Sequence, residues 1–247
     1  MLKQGFQEDI ERIFEYIEKN APRKTQNLLF SATIPSWVID LSRKYLSSDR
    51  KYVDLIKDSD IRTSKTVEHL ALNCPYYHRN SVIADLVNLY GGRHGRTIIF
   101  CETKREVNEI ILKANIKQEC QPLHGDIPQK QREVTFHSFK QGKLKCLIAT
   151  NVAARGLDIP EVDLILQLEP PKEIDAYIHR AGRTGRAGKS GVCVTFYTRQ
   201  QQPLLERIER MAKIKFKKIG APQPADIVKA SARDIVISLK EVNEGVL

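Results

Sequence analysis

The sequence predicts an α/β protein: a parallel sheet with helices on both faces. From Val67 onward, short apolar runs alternate with longer amphipathic stretches, which is the pattern of repeated βαβ units. The short runs are apolar almost throughout rather than at every second residue, which indicates strands that are buried on both faces. The hydrophobic fraction of 41% is enough for such a core.

The predicted elements follow one another closely. The predicted strands are 67–74, 97–101, 121–123, 146–149, 164–168 and 192–197. The predicted helices are 80–90, 104–112, 129–140, 173–178 and 202–211, with weak helical patterning again after residue 220. Before this region, residues 6–17 carry a helical apolar stripe, and 37–45 form a second helix after Pro35 and Ser36. A short strand at 53–56 and a polar linker at 57–65 complete the prediction.

Composition limits the partners that this chain can have. Lys and Arg total 40 against 30 Asp and Glu, a formal net charge of +10, which favours an anionic partner and most often nucleic acid. The five cysteines are scattered without a C-x-x-C pair, and the six histidines show no ligand spacing. We therefore expect reduced core thiols in a cytosolic or nuclear protein, without a zinc site. We find no apolar run of membrane-spanning length and no signal-peptide pattern.

The stretch 177–186 carries three arginines at a spacing of three, Arg180, Arg183 and Arg186. Gly182 and Gly185 should end the preceding helix and leave the last two arginines on a turn. An arginine fork suits phosphate oxygens, so the turn is a candidate phosphate clamp, and a solvated basic loop is the alternative. A P-loop is rejected here, because an arginine stands where its first glycine belongs.

Polar motifs follow three of the predicted strands. They are Glu102-Thr103, His124-Gly125-Asp126 and Thr150-Asn151. In parallel sheets ligands bind beyond the carboxyl ends of the strands, so these motifs predict a binding edge.

Five stretches together carry a family resemblance. They are SAT at 31–33, TIIFCET at 97–103, LHGDIPQKQRE at 123–133, ATNVAARGLDIP at 149–160 and HRAGRTGR at 179–186. Their order and spacing resemble the second half of a DEAD-box ATP-dependent RNA helicase over nearly the whole chain. VDLI at 53–56, TVEHLAL at 66–72 and IKFKKIGAP at 214–222 resemble the nucleolar RNA helicase II/Gu subgroup of that family.

The resemblance implies a domain plan with a RecA-like fold. Residues 1–56 would be the end of a first RecA-like domain and 57–65 an interdomain linker. Residues 66–220 would be the helicase C-terminal domain and 221–247 the start of a C-terminal extension. The sequence would begin just after the D-E-A-D motif. We therefore expect the P-loop and D-E-A-D to lie outside it, with ATP and Mg²⁺ held mainly by the missing part and this stretch alone inactive.

The resemblance also implies roles at the ATP site. Arg183 and Arg186 match the arginine fingers, which bind ATP and stabilise the charge of phosphoryl transfer. Gly156 and Asp158 match the positions around the ATP ribose, with a loop-capping Asp as the alternative.

The remaining matched residues concern RNA and domain closure. Arg132, Thr150 and Asn151 match positions at the RNA backbone, Gly125 offers an N–H, Thr103 a hydroxyl, and Gln129 pairs with Arg132. Helix capping is the alternative for Gln129 and Thr103. Ser31, Thr33, His179 and Arg180 match positions that couple the two domains, although a purely structural role suits His179 and Arg180 nearly as well.

These roles predict sequence-independent binding of single-stranded RNA and unwinding or remodelling of duplexes by the intact protein. The subgroup resemblance implies a nuclear, nucleolar location, with the cytoplasm as the alternative. A non-catalytic RecA-like module that binds RNA or protein, and a DNA translocase, are the rival functions. An upstream P-loop and D-E-A-D would separate the enzyme from the module.

Overall fold

The computed structural model describes residues 7–23, 25–30, 36–53, 63–92, 94–151, 159–185 and 188–244. The chain divides into two compact units, Met1–Lys57 and Asp58–Leu247. The division coincides with the start of the predicted linker. Most of that linker lies outside the described residues, as do the SAT residues Ser31 and Thr33.

The second unit contains one parallel sheet, as predicted. Its strands are β1 Val67–Asn73, β2 Thr97–Cys101, β3 Cys120–Leu123, β4 Cys146–Thr150, β5 Leu164–Gln167, β6 Gly191–Tyr197 and β7 Lys217–Ile219. The strand order is β3-β4-β2-β5-β6-β1-β7, and every pairing is parallel. The six predicted strands are confirmed within a residue or two, and the edge strand β7 is additional.

Five of the described helices of this unit lie in crossovers between strands, and a sixth follows the last strand. They are α3 Arg79–Leu86, α4 Lys104–Lys113, α5 Gln129–Lys140, α6 Ile174–Ala181, α7 Gln202–Ala212 and α8 Pro224–Glu244. These helices confirm the predicted ones. The helix predicted at 80–90 starts as α3 and ends as a π-helix over Val87–Gly91. The weak pattern after residue 220 becomes the long helix α8.

Both faces of the sheet are covered. Ile98 and Phe100 of β2 belong to the apolar cluster that includes α5, α6 and α7. Ile99 and Cys101, which point to the other face, belong to the cluster that includes α3 and α4. Because successive strand residues alternate between faces, covering both faces explains why the strands read as continuous apolar runs.

The first unit is much less buried. Its described helices are α1 Gln7–Asn20 and α2 Ser36–Tyr45, as the apolar patterns predict. The Phe14 and Tyr45 rings stack at 4.8 Å between centroids, and the Tyr45 hydroxyl donates to the Glu11 carboxylate at 3.0 Å. Among the side chains of this unit that the structure describes, Val38 is the one buried apolar side chain. Val53 lies in irregular backbone, and the rest of the strand predicted at 53–56 is outside the described residues.

The five cysteines are free thiols, and four of them are buried in the second unit. Burial raises the pKa of the Cys193 thiol to about 11, so it stays protonated and behaves as a small apolar side chain. Within the described ranges, we find no helix that combines the length and the apolar character needed to cross a membrane.

Candidate nucleic-acid edge and arginine loop

Six predicted site residues lie together at one edge of the sheet, which we call the carboxyl edge. Its members are Thr103, Gly125, Gln129, Arg132, Thr150 and Asn151. They follow or end β2, β3 and β4, or lie in the first turn of α5, which follows the loop after β3. Because β3, β4 and β2 are neighbours in a parallel sheet, their carboxyl ends meet at the same side.

Thr103 begins helix α4. Its backbone is extended (φ −127°, ψ 152°), and its hydroxyl accepts a hydrogen bond from the Glu106 N–H at 3.1 Å. The Glu106 carboxylate in turn accepts from the N–H of Glu102, the residue before the cap, at 3.0 Å. The capping role weighed for Thr103 is therefore present. Thr103 is also exposed, and its O–H can still donate to a ligand.

The loop after β3 is held by contacts of His124 and Asp126, while the space around Gly125 is open. His124 is buried and its Nε2 lies 3.1 Å from the Asn108 Oδ1. Lys104 forms an ion pair with Asp126 at 2.7 Å, and this hydrogen bond lowers the pKa of the Asp126 carboxyl. A Cβ built on Gly125 meets no atom within 4 Å. The backbone at Gly125 is therefore free to approach a ligand closely.

Gln129 and Arg132 lie in the first turn of α5, where the Gln131 and Arg132 N–H groups both donate to the Pro128 carbonyl at 3.0 Å. The Gln129 amide donates to the Glu133 carboxylate at 2.7 Å, one turn further along. Arg132 is half-buried, and its buried Nε finds no acceptor among the described residues. An unpaired buried N–H costs free energy, so the Arg132 Nε is a donor that lacks its partner within the described part of the chain.

Arg180 ties the middle of the carboxyl edge together. It is 3% exposed, and its guanidinium donates to Glu102 at 3.0 Å, with longer contacts of 3.5 Å to Asn151 and Gln167. It also lies 5.1 Å from the centre of the Phe100 ring. These partners follow or end β2, β4 and β5, so Arg180 fastens α6 to three strands. This is the structural role weighed for it, and its part in domain coupling remains a prediction.

The arginine loop, residues 182–190, follows α6. The predicted helix end at Gly182 is confirmed: α6 stops at Ala181, and the Gly182 N–H donates to the Ile178 carbonyl at 2.8 Å. Arg183 is on the turn, as predicted, and is half-buried. Its carbonyl accepts from the Val162 N–H at 3.1 Å, just before β5. The exposed His179 precedes the loop in the last turn of α6.

Thr184 and Gly191 lock the loop against the sheet. The Thr184 side chain is fully buried and its hydroxyl donates to the Val162 carbonyl. A Cβ on Gly191, the first residue of β6, would overlap the Thr184 hydroxyl and lie 2.6 Å from the Gly185 nitrogen. Glycine is therefore required at residue 191 for this close approach.

The residues just before β1 hold the other side of the loop. The Thr66 hydroxyl donates to the Gly185 carbonyl at 2.8 Å, and the Gly191 N–H donates to the Thr66 carbonyl at 3.0 Å. Gly185 has φ +68°, which favours glycine, and a Cβ there would lie 2.9 Å from the Thr66 Oγ1. Sequence reasoning missed Thr66 and Thr184. Thr184 could have been suspected from its place between Arg183 and Gly185, whereas Thr66 gives no signal.

Several predicted residues lie outside the described ranges. They are Ser31, Thr33, Gly156, Asp158 and Arg186. Within the described part of the chain, no three His, Cys, Asp or Glu side chains converge to hold a metal ion.

The sequence matches known helicases. A model of the helicase conserved C-terminal domain matches residues 79–188. Nucleolar RNA helicase 2 of Rattus norvegicus is 49% identical over 243 residues, which cover 98% of this chain and 31% of that protein. ATP-dependent RNA helicase DDX50 of Homo sapiens is 47% identical over 244 residues, covering 98% of this chain and 33% of that protein. The chain thus spans about a third of the length of these relatives.

Solved structures agree with the sequence matches. Dbp5 of S. cerevisiae bound to RNA and ADP BeF3 has a TM-score of 0.78 and 27% identity, covering 94% of this chain and 59% of that one. The C-terminal domain of Dbp5 is 30% identical with a TM-score of 0.59, covering 68% of this chain and 98% of that one.

The parallel sheet, its helices and the polar loops at its edge define a RecA-like helicase domain. The chain belongs to the DEAD-box helicases, and the similarity to nucleolar RNA helicase 2 and DDX50 confirms the subgroup resemblance.

Proposed function

We propose that this chain works as the C-terminal part of an ATP-dependent RNA helicase. It would bind the backbone of single-stranded RNA at the carboxyl edge and complete an ATP site with the arginine loop. The observation that carries the RNA role is the meeting of six matched residues at one edge of the sheet.

At the carboxyl edge, the groups available suit phosphate and ribose oxygens. Arg132 would donate to a phosphate from its guanidinium, Thr150 from its hydroxyl, and Gly125 from its backbone N–H, where no side chain blocks approach. Thr103, Gln129 and Asn151 would add further hydrogen bonds along the strand. Contacts of this kind position the backbone without reading bases, so binding would be independent of sequence.

At the arginine loop, Arg183 and Arg186 would act as arginine fingers. Phosphoryl transfer spreads negative charge over the γ-phosphate oxygens, and a guanidinium already in position stabilises that charge. The clamped backbone at Thr184 and Gly185 supports this role, because a held turn needs no rearrangement during the reaction. Gly156 and Asp158 would contact the ATP ribose.

Mg²⁺ neutralises the phosphates of bound ATP in this chemistry. Among the described residues no three His, Cys, Asp or Glu side chains converge, and we assign no step in this chain to the metal. We propose that ATP and Mg²⁺ are held mainly by a first RecA-like domain with the P-loop and D-E-A-D, and that residues 1–247 alone are inactive. Ser31, Thr33, His179 and Arg180 would couple that domain to this one. The relatives' names support a nucleolar location.

RNA binding by the chain itself tests the proposal. Affinity for single-stranded RNA, measured by fluorescence anisotropy between low and moderate salt, should fall as salt rises because phosphate contacts release counterions. Arg132→Ala should reduce the slope of log K against log salt by about one unit for all sequences. The matched control Arg210→Ala removes an exposed arginine from α7, away from the carboxyl edge, and should leave the slope unchanged. A loss confined to one RNA sequence would contradict backbone binding.

A further inference from the structure

The turn after β1 presents two aromatic rings to solvent. Residues Tyr76–His78 form a short 3₁₀ turn at the carboxyl end of β1. The side chain of Tyr76 is 57% exposed and that of Tyr77 is 80% exposed. The Tyr77 ring lies against the His78 ring, with 4.3 Å between centroids. Two consecutive exposed tyrosines are not needed to fold this turn, since neither enters the core.

Tyr76 is nevertheless held firmly in place. The guanidinium of Arg79 lies 3.9 Å from the centre of its ring, and its hydroxyl donates to the Glu169 carboxylate at 2.9 Å. Gln201 donates to the other Glu169 oxygen, also at 2.9 Å. Arg79 itself is only 3% exposed. The ring is therefore oriented before any ligand arrives, which lowers the entropy cost of binding.

The same contacts connect this turn to the carboxyl edge. The Arg79 guanidinium lies 3.5 Å from both the Glu106 and the Glu169 carboxylates. Glu106 is the residue whose N–H donates to the Thr103 hydroxyl. An unbroken chain of contacts thus runs from Thr103 through Glu106 and Arg79 to Tyr76. The two tyrosines follow β1, at the same edge of the parallel sheet as the loops after β2, β3 and β4.

The chemistry of the turn favours a base over a phosphate. Beneath it, the two carboxylates of Glu106 and Glu169 outnumber the one guanidinium of Arg79, so the local charge does not attract an anion. An aromatic ring, by contrast, stacks on any nucleobase, because every base has a π face.

We propose that Tyr76 and Tyr77 form a stacking platform for nucleobases of single-stranded RNA. The platform would extend the RNA-binding surface from the carboxyl edge, at the ends of β3, β4 and β2, towards the end of β1. The inference rests on the proposed RNA binding at the carboxyl edge. The phosphate contacts hold the strand, and the platform adds base stacking without sequence preference. A protein partner at these tyrosines is the competing occupant.

The test uses residues 1–247 and a labelled oligouridine at low salt, together with a set of strands that each carry one abasic ribose. Tyr77→Leu keeps an apolar side chain and removes the ring. Because Tyr77 is exposed, the variant should fold normally, which circular dichroism would check. Tyr16→Leu, which removes a tyrosine 70% exposed in α1, is the matched control.

Tyr77→Leu should weaken binding of the intact strand about fivefold, the lower end of the stacking range, without changing the salt slope. In the wild-type chain one abasic position should cause the same loss, and in Tyr77→Leu that position should cause none. Unchanged affinity in Tyr77→Leu, with Arg132→Ala still weakened, would reject the platform and keep the backbone track. If Tyr77→Leu bound the intact strand more weakly but still lost affinity at each abasic position, stacking would also be rejected. Stacking would be rejected as well if Tyr77→Leu abolished binding of a protein partner and left RNA binding unchanged. If the wild-type chain binds no RNA, the proposed RNA function fails as well.

Discussion

The arginine loop and the carboxyl edge differ in how their backbones are held. The loop is clamped on two sides, by Thr66 before β1 and by the residues before β5, and the Thr184 side chain is fully buried. The carboxyl edge is open around Gly125, where an added Cβ would meet no atom within 4 Å. A group that stabilises a transition state gains from being fixed in advance, whereas a surface that meets many RNA sequences needs space.

The comparison is tested most strongly by two glycines. Gly191→Ala should lower the free energy of unfolding by about 4 kcal/mol, because the new Cβ overlaps Thr184 and the loop must shift. Gly125→Ala at the carboxyl edge should change stability by less than about 1 kcal/mol, because the space around it is open. Urea unfolding of both variants measures the difference. Equal losses would show that the loop is no more constrained than the edge.

Acid should destabilise the packing of α6, the helix that precedes the arginine loop. His69 Nδ1 lies 2.6 Å from the hydroxyl of Tyr177, a residue of α6, and burial lowers the pKa of His69 from 6.5 to about 4. Between these two pKa values the unfolded chain binds the proton and the folded chain does not. The contribution of neutral His69 to the free energy of unfolding is therefore complete above pH 6.5. It falls by about 3 kcal/mol in all as the pH drops towards 4.

Urea unfolding at a series of pH values measures this dependence. His69→Gln should remove most of the slope between pH 6.5 and 4, while His78→Gln, at an exposed histidine, should retain it. An unchanged slope in His69→Gln would assign the acid sensitivity to other groups.

Thr66 should have the smallest effect of the three. Thr66→Val removes the hydroxyl that donates to the Gly185 carbonyl, so stability should fall by about 1 kcal/mol. In the intact helicase, ATP turnover should fall by about tenfold, the equivalent of about 1.4 kcal/mol, if the loop shifts. Thr66→Ser keeps the hydroxyl and should restore both values. If ATP turnover fell in Thr66→Ser, which lacks only the methyl group, and not in Thr66→Val, the Thr66 hydroxyl would have no part in positioning the loop.

The sheet could be predicted because its strands are buried on both faces, which leaves continuous apolar runs such as 97–101 and 146–149. Strand β7 was missed for the opposite reason: it has three residues, and Lys217 and Lys218 are exposed at the sheet edge. The π-helix over Val87–Gly91 was also missed, since its apolar pattern does not differ from the end of an α-helix.

The candidate site divides in the same way. Thr103, Gly125 and Arg132 lie in motifs that follow predicted strands. Because parallel strands end at the same edge of the sheet, the sequence predicts that these residues share that edge. The hydrogen bond from Thr66 to Gly185 joins residues 119 positions apart, and no local pattern reports it. The ring of Tyr76 and its support by Arg79 were missed likewise, because the buried arginine is recognised only from its contacts.

The central claim is that the two regions have separate functions, with the arginine loop acting on ATP and the carboxyl edge on RNA. The most direct measurement is steady-state ATP turnover and RNA affinity for Arg183→Lys in the intact helicase. Lysine keeps the charge and loses the fork, so kcat should fall by about 10³-fold while the Kd for RNA stays within about twofold. Arg132→Ala should weaken RNA binding instead. An unchanged kcat, or an RNA affinity that falls together with kcat in Arg183→Lys, would contradict the separation.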